Sequence, residues 1–256
     1  MLRFRKDQKR LGTRKLLEVM EEFLASNNFS IGRDAMFNLL AHYGLLVTKR
    51  KRGGCVTTMS RHRFKKYPNI IKGFIPTGPN QLWVSDITYI RIKGGHAYLS
   101  LITDAYSRKI VGFCLHKDLS ATGPLRALKM ALRDNPDTTG LIHHSDRGIQ
   151  YCCQAYVKLL EDNQIKISMT ENGDPLENAI AERVNGILKG ELLEEKFSGF
   201  EMAKQQVAIA CGTYNHLRPH ASIDYLMPAE AHLSSGPLKR RWKNYYTIKK
   251  KEVAME

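Results

Sequence analysis

Three carboxylates are the residues of this chain whose types and spacing are best suited to chemistry. Asp86 interrupts an apolar, strand-like stretch, Asp146 follows a short apolar stretch, and 35 residues separate Asp146 from Glu182, which lies in a helical pattern. A carboxylate inside a buried strand is costly unless it is paired or binds a metal. The alternative for Asp86 is an edge-strand position that faces solvent. Hard oxygen ligands suit Mg²⁺, and two ions roughly 3.5–4 Å apart can clamp both reacting oxygens of a phosphodiester.

Polar residues close to these carboxylates are candidates for binding a phosphate backbone. Lys189 follows Glu182 by seven residues, which places both on nearly the same face of a helix. The alternative for Lys189 is an ordinary solvated charge. His144 either tunes the site, contacts phosphate or is a satisfied core histidine. The candidates are Asn178, His144, Arg147 and Lys189. A zinc site is not expected, because the pair His143 and His144 lacks a third ligand at suitable spacing.

The elements that must position these residues follow from the pattern of apolar residues. Strands are predicted over 82–92, 97–103, 108–115, 141–144 and 165–169, and helices over 121–133, 154–163, 177–195 and 201–215. The order is a three-stranded meander, then helix, strand, helix, strand and helix. It predicts an α/β fold with a ribonuclease-H-like mixed sheet and flanking helices.

The N-terminal region has a different pattern. Two amphipathic helices are predicted over 13–27 and 33–43, with Gly44 as a stop signal. In a basic segment this pair indicates a helix-turn-helix-like unit that contacts DNA, and a plain helical hairpin packed on the core is the alternative. The expected contacts are Arg10, Arg14, Lys15 and Arg33.

Breaks in composition suggest four regions. They are a helix-turn-helix-like segment over 1–46, a basic linker over 47–78, a catalytic core over 79–232 and a basic tail over 233–256. The linker is expected to be extended or disordered when free, and Lys49, Arg50, Lys51 and Arg52 are expected to track phosphates when DNA is bound. The tail interleaves basic and aromatic residues, which suits backbone contact with base stacking, although a tail without a role is an open alternative.

Charge is concentrated at the two ends of the chain. The net charge is +15 overall, with +12 in residues 1–72, −2 in 73–238 and +5 in 239–256. Concentrated basic segments bind polyanions through counterion release. Double-stranded DNA is the favoured partner, while RNA and an anionic membrane remain alternatives on charge alone.

Other features bound the compartment. The 5 cysteines form no CxxC pair, which suits a reducing environment. The N-terminus is too charged for a signal peptide, and no run of about 18 apolar residues predicts a membrane span. A cytoplasmic, nucleoid-associated protein with no membrane partner is expected.

Five segments together resemble one family. They are 83–90 (WVSDITYI), 104–112 (DAYSRKIVG), 144–151 (HSDRGIQY), 178–182 (NAIAE) and 214–220 (YNHLRPH). They are similar to those of DDE transposases of bacterial insertion sequences, of the OrfB type with a retroviral-integrase-like core. The resemblance extends from residue 12 to about residue 232, and residues 12–46 are similar to the family's small helical segment.

The resemblance implies an activity and a site. Asp86, Asp146 and Glu182 would bind two Mg²⁺ ions, with Mn²⁺ as a substitute, and the enzyme would nick element ends and join the 3′-hydroxyl to target DNA. Family members usually act with a separate upstream helix-turn-helix part. We expect this sequence to lack that part, which makes an upstream partner protein and a homo-oligomer the expected assembly. The alternatives are a ribonuclease-H-like nuclease without strand transfer and an inactive DNA-binding regulator.

Overall fold

A computed structural model describes residues 1–48, 50, 62–171 and 178–239 of the 256-residue chain. Three of the predicted phosphate contacts, Lys49, Lys51 and Arg52, lie outside these residues, as does the basic tail from residue 240 onward. Within the described ranges, no helix combines the length and the apolar character that crossing a membrane requires.

A five-stranded mixed sheet forms the centre of the molecule. Its strands are β1 (Leu82–Ile92), β2 (Gly95–Asp104), β3 (Ile110–His116), β4 (Ile142–Ser145) and β5 (Lys166–Met169), in the order β3-β2-β1-β4-β5. The first three strands pair antiparallel, whereas β4 runs parallel to β1 and β5 runs parallel to β4. The predicted mixed sheet is therefore confirmed, with β1 at its centre.

Helices cover both faces of the sheet. The helices are α1 (Thr13–Val19), α2 (Glu21–Ser26), α3 (Arg33–His42), α4 (Thr122–Asp134), α5 (Ile149–Cys152), α6 (Gln154–Asp162), α7 (Ala179–Ile187), α8 (Phe200–His216) and α9 (Pro228–Ala231). Because side chains alternate along a strand, Leu99 and Leu101 of β2 pack under α7 and α8. Ile102 packs with α4 and α6 on the opposite face. A Cβ at Gly112 of β3 would lie 2.2 Å from the Ala127 carbonyl oxygen of α4, so this close approach requires glycine.

The N-terminal segment is helical, as predicted, with one interruption. The helix predicted over 13–27 is divided into α1 and α2 at Met20, which has φ −93° and ψ −2°. The buried residues Leu16, Met20, Met36 and Leu40 form part of a small apolar core that holds α1 and α3 together. The small apolar core therefore tolerates an interruption of the helix at Met20, which the spacing of the apolar residues did not predict.

The helix predicted over 177–195 is also different. α7 ends at Ile187, and the chain continues as a wider π-helical turn over Leu188–Leu192, called the π segment below. The Leu193 amide then donates to the Leu188 carbonyl over 2.8 Å and ends the helical stretch. The prediction of one long regular helix is wrong, and the change in pitch begins at Leu188, one residue before Lys189.

The described part of the predicted linker lies against the sheet. The Met169 amide donates to the Pro68 carbonyl over 3.3 Å, and the Ile70 amide donates to Ser168 Oγ over 3.1 Å. Lys72 also forms an ion pair with Glu171. Residues 62–78 therefore run along the β5 edge close to the loop after β4, and hydrogen bonds hold this part of the linker in place.

Candidate active site

The sheet brings the two aspartates to neighbouring strands. The parallel register pairs Val84 of β1 with His144 of β4. Asp86 follows Val84 by two residues, and Asp146 follows His144 by two residues in the same direction. Neighbouring strands lie about 4.7–4.9 Å apart, so the two carboxylates stand side by side where β4 ends. Both aspartates are half-buried.

Helix α7 brings the third carboxylate to the same strand. Three contacts tie it to β1: Asn178 Nδ2 donates to the Ser85 carbonyl over 2.9 Å, Asn185 Nδ2 to Asp86 Oδ2 over 2.6 Å, and Lys189 Nζ to Thr88 Oγ1 over 3.1 Å. Steps of three and four residues share one helix face. Glu182 lies within this series, between Asn178 and Asn185, and its side chain is exposed.

The three carboxylates share one electrostatic environment. Burial, the negative charge of Asp146 and, to a smaller extent, that of Glu182 together raise the pKa of Asp86 to about 7. Hydrogen bonds from Asn185 and from the Ile87 amide oppose this increase. An Asp86 carboxylate that is ionised at neutral pH therefore faces like charges in a poorly solvated position, and a cation beside it would stabilise the ionised form.

The donor set fits a hard divalent cation in its chemistry, because all three candidate ligands are carboxylates. Within the described residues, Asp86 and Glu182 form no ion pair. In the same part of the chain, no three His, Cys, Asp or Glu side chains are grouped closely enough to hold a metal ion as they stand. The carboxylates are therefore close enough for their charges to interact, but among the described residues they do not form a complete metal-coordination shell.

Asp146 is held by the turn that follows it. The Gly148 amide donates to Asp146 Oδ1 over 2.9 Å, and a Cβ on Gly148 would lie 2.9 Å from the same oxygen. A side chain at this position would displace the carboxylate. Arg147, predicted to bind phosphate, is half-buried and donates from Nη1 to the Glu171 carbonyl over 3.0 Å.

The histidine pair lies beneath the carboxylates. His143 is fully buried, its Nε2 lies 2.7 Å from Ser85 Oγ and 2.9 Å from the Tyr156 hydroxyl, and burial lowers its pKa to about 3. His144 is also fully buried, with Nδ1 2.8 Å from Ser168 Oγ. These positions agree with the core-histidine alternative, because phosphate has no access to either ring.

The other predicted phosphate contacts lie in different surroundings. Asn178 is 7% exposed and is engaged with β1, and Arg50 donates to backbone carbonyls. Lys189, Arg14 and Arg33 are exposed, although Arg33 forms an ion pair with Asp34 over 2.8 Å. Exposure therefore favours these last three as residues that DNA can reach.

Sequence reasoning missed Asn185. Its amide makes a short hydrogen bond to Asp86, and its side chain is 5% exposed. The signal was present, because Asn185 follows Glu182 by three residues and so lies on the same helix face. What the sequence did not show is that this face points at β1 and not at solvent.

Comparisons with known proteins agree with this architecture. Residues 76–175 match the family model described as "Integrase core domain", and residues 163–228 match a second model of the same description. In solved structures, the chain resembles the HTLV-2 integrase catalytic core domain in complex with magnesium (TM-score 0.50, 19% identity, 62% of this chain and 99% of that chain). It also resembles the simian T-cell lymphotropic virus intasome (TM-score 0.53, 17% identity, 91% and 75%). These likenesses confirm the ribonuclease-H-like fold.

Curated relatives show the family. An insertion element IS600 31 kDa protein from Shigella sonnei is 36% identical over 224 residues, which are 85% of this chain and 79% of the relative. The transposase for insertion sequence element IS629, also from Shigella sonnei, is 31% identical over 81% of this chain and 70% of its own length. The chain therefore belongs to the DDE transposases of bacterial insertion sequences, built on an integrase-like catalytic core.

Proposed function

We propose that this chain nicks the ends of an insertion sequence and joins the freed 3′-hydroxyl to target DNA, with Asp86, Asp146 and Glu182 as the ligands of two Mg²⁺ ions. The observation that carries the proposal is the position of Asp86 and Asp146 on neighbouring strands with α7, the helix of Glu182, bonded to β1, an environment in which burial and neighbouring negative charge raise the pKa of Asp86. Mn²⁺ is the expected substitute, since it also accepts carboxylate ligands. When bound, the ions would stabilise charge on the attacking and leaving oxygens of the phosphodiester.

The protein's own groups would position this chemistry. Asn185 orients the Asp86 carboxylate, the Gly148 amide orients Asp146, and the attachment of α7 to β1 sets the position of Glu182. In strand transfer, the 3′-oxygen forms a new bond to the target phosphorus and its hydroxyl loses a proton to solvent. The bond from phosphorus to the leaving 3′-oxygen breaks, and that oxygen takes up a proton from solvent. Binding and orientation of DNA are thus the main tasks of the side chains.

Exposed cations give the proposed DNA contacts. Lys189 contacts Thr88, two residues after Asp86 on β1, where a donor to a DNA phosphate is useful, and Arg14 and Arg33 lie on the N-terminal helices. Each phosphate neutralised contributes about 0.9 to the slope of log affinity against log salt. Double-stranded DNA, both element ends and target, is the proposed partner, which would place the protein at the nucleoid in the cytoplasm.

Assembly is the second part of the proposal. Two element ends must be held together for joining, so we propose a dimer or a larger homo-oligomer on DNA. The related viral core was described in a trimeric form, and the simian virus protein in an intasome. An upstream helix-turn-helix protein is the proposed additional partner. The mass of the complex with paired ends tests this, since a single protomer on two ends would contradict it.

Strand transfer with labelled element-end DNA in Mg²⁺ tests the activity. Wild type is compared with Glu182→Gln, and Glu201→Gln, an exposed glutamate at the start of α8, is the matched control. Joined product from wild type and control but not from Glu182→Gln supports the proposal. If an upstream helix-turn-helix part is required, adding it restores joining only to the first two proteins.

The same assay separates the alternatives. Cutting without any joining would identify a nuclease. Tight DNA binding without turnover in either Mg²⁺ or Mn²⁺, even with the upstream part present, would identify a regulator and overturn the enzymatic proposal.

A further inference from the structure

The π segment that follows the active-site helix leaves backbone groups in need of partners. The last carbonyl groups of a helix find no backbone amide donor within the helix. In addition, π turns inside helices often occur at functional sites. Here the π segment contains Lys189, whose ammonium group contacts Thr88 of β1. The position of this turn therefore sets the position of Lys189, whose contact residue Thr88 follows Asp86 by two positions on β1.

Two arginines from the N-terminal part of the chain supply the missing donors. Arg10 Nε donates to the Gly190 carbonyl over 3.0 Å, and another Arg10 nitrogen donates to the Thr48 carbonyl. Arg50 Nη1 donates to the carbonyls of Lys189 and Leu193 over 3.0 and 2.7 Å. Guanidinium groups are favourable at the C-terminal end of a helix, because they bond its free carbonyls and carry the opposite charge to the end of its dipole.

A buried ion pair fixes the same turn from another side. Glu191 of the π segment accepts from Arg218 Nε over 2.9 Å and from Arg218 Nη2 over 3.0 Å, and Arg218 is 1% exposed. Lys15 of α1 lies 3.6 Å from the same carboxylate, and burial lowers its pKa to about 8. Gln8 Nε2 donates to the Leu217 carbonyl at the end of α8 over 2.6 Å. The N-terminal helices, the π segment and α8 thus meet at one junction.

We infer that the N-terminal segment braces the active-site helix, with Arg10 and Arg50 as positioning residues that hold the π segment and through it Lys189. This inference rests on the proposed function for its effect on activity. It also reassigns two cations that the sequence suggested as DNA contacts. Their donors are engaged with carbonyl oxygens, and the Arg50 side chain is only 23% exposed and also pairs with Glu195 over 3.2 Å. A phosphate would have to replace these bonds.

The effect on catalysis follows from geometry. A displacement of about 1 Å in a positioning group can reduce a rate about a hundredfold. Release of the π segment frees Lys189 and the end of α7 while leaving Asp86 and Asp146 on the sheet. The expected change is therefore in the rate of joining at saturating DNA, and the loss of DNA affinity is limited to the one phosphate contact proposed for Lys189.

The test compares Arg10→Ala/Arg50→Ala with Lys6→Ala/Lys9→Ala. The control removes the same charge from two exposed residues of the same region. Amide hydrogen exchange over residues 188–193 is expected to become about tenfold faster in the arginine double variant only. Single-turnover joining is expected to fall about 10- to 100-fold, whereas the salt slope of DNA binding should differ from that of the control by no more than about 1, the contribution of Lys189.

A role of Arg10 and Arg50 in DNA binding would give a different result. If exchange over 188–193 is unchanged and the salt slope falls by about 2, which corresponds to two lost phosphate contacts, the arginines bind DNA and the brace is wrong. Because exchange is measured without DNA, it decides the inference even if wild type shows no strand transfer, a result that would overturn the proposed function alone.

A thermodynamic cycle tests the route through Lys189. If the brace acts through Lys189, the arginine substitutions should cost much less joining activity in a Lys189→Ala background, because coupled residues are non-additive. Fully additive losses would indicate a general structural role and overturn the inference. If the alanine variant fails to fold, Arg10→Lys/Arg50→Lys replaces it. One ammonium nitrogen cannot reproduce the Arg50 contacts made by Nε and Nη1, so joining should stay impaired, whereas a phosphate contact would tolerate lysine.

Discussion

Asp86 and Asp104 are both aspartates of central strands, but their surroundings are opposite. Asp104, at the end of β2, is fully buried and accepts hydrogen bonds from the Ser107 amide and hydroxyl at 2.7 Å each and from the Asn80 amide at 2.8 Å. His232 Nδ1 lies 3.7 Å from the same carboxylate. Asp86 is half-buried, accepts from Asn185 and the Ile87 amide, and faces the negative charges of Asp146 and Glu182.

The difference distinguishes a structural carboxylate from one arranged for a ligand. Donors surround Asp104 from several sides, so its charge is satisfied within the protein and stabilises the turn after β2. At Asp86 burial and like charges outweigh the donors, so the free protein carries an unfavourable charge that a cation would relieve. Burial alone would have marked Asp104, the more buried of the two aspartates, as the better candidate for a ligand site.

The largest effect is expected for Asp86→Asn. Loss of a charged ligand should reduce strand transfer about 10³-fold, since a metal ion contributes several kcal/mol to such reactions. Folding should be preserved, because the substitution removes a poorly solvated charge. Single-turnover joining and thermal melting measure the two effects, and Asp162→Asn, on the exposed side of α6, is the control. Substantial joining by the Asp86 variant would mean that this carboxylate is not a ligand.

The reverse pattern is expected for Asp104→Asn. The new amide group would face three donors, and the free energy of unfolding should fall by about 3 kcal/mol. Joining per folded molecule should stay close to that of wild type at a temperature where the variant is folded. Denaturant unfolding and joining assays on the same sample check both parts. A stable but inactive Asp104 variant would remove the contrast between the two aspartates.

Asn185→Ala should have an intermediate effect. Its hydrogen bond lowers the pKa of Asp86, so its loss should raise that pKa and weaken the ionised carboxylate as a ligand. Loss of a group that orients a ligand typically costs 10–100-fold, and we expect about tenfold here. The acidic limb of the pH–rate profile should move to higher pH, and more Mg²⁺ should be needed. A loss of rate that is equal at all pH values would instead indicate misfolding of α7.

The sequence revealed the type of fold because its local signals agree with the tertiary structure. The strands near Asp86 and Asp146 are apolar stretches of the right length, and α8 and α4 begin and end within one residue of their predicted bounds. The order of elements predicted a mixed sheet, whereas the parallel pairing of β1 with β4, which places the two aspartates together, is seen only in the structure. That these residues bind metal stays a prediction.

The parts that the sequence did not reveal depend on contacts between distant residues. The π segment exists next to Arg10 and Arg50, which are 180 and 139 residues away from the carbonyls of Gly190 and Lys189. In the sequence, an arginine that donates to a backbone carbonyl cannot be distinguished from one that is free to bind a DNA phosphate. Likewise, the sequence left open whether His144 acts at the site, contacts phosphate or lies inside the core.

The smallest effect concerns the stability of the metal-free protein as the pH changes. Asp86 has an ordinary pKa of 3.8 when unfolded and about 7 when folded. Between these values the folded state retains a proton that the unfolded state has lost, so stability falls as pH rises through this range and the penalty is complete above pH 7. Asp86→Asn lacks the group and should avoid the penalty.

The advantage of Asp86→Asn over wild type should therefore grow from about pH 4 to about pH 7 and then stay constant. We expect on the order of 1 kcal/mol, since solvent reaches the half-buried carboxylate and weakens the penalty. Urea unfolding of both proteins in a chelator measures it, and Mg²⁺ should reduce the difference above pH 7 by binding to wild type. A difference that does not depend on pH would mean that Asp86 is as well satisfied as Asp104, and the contrast that marks the candidate site would be lost.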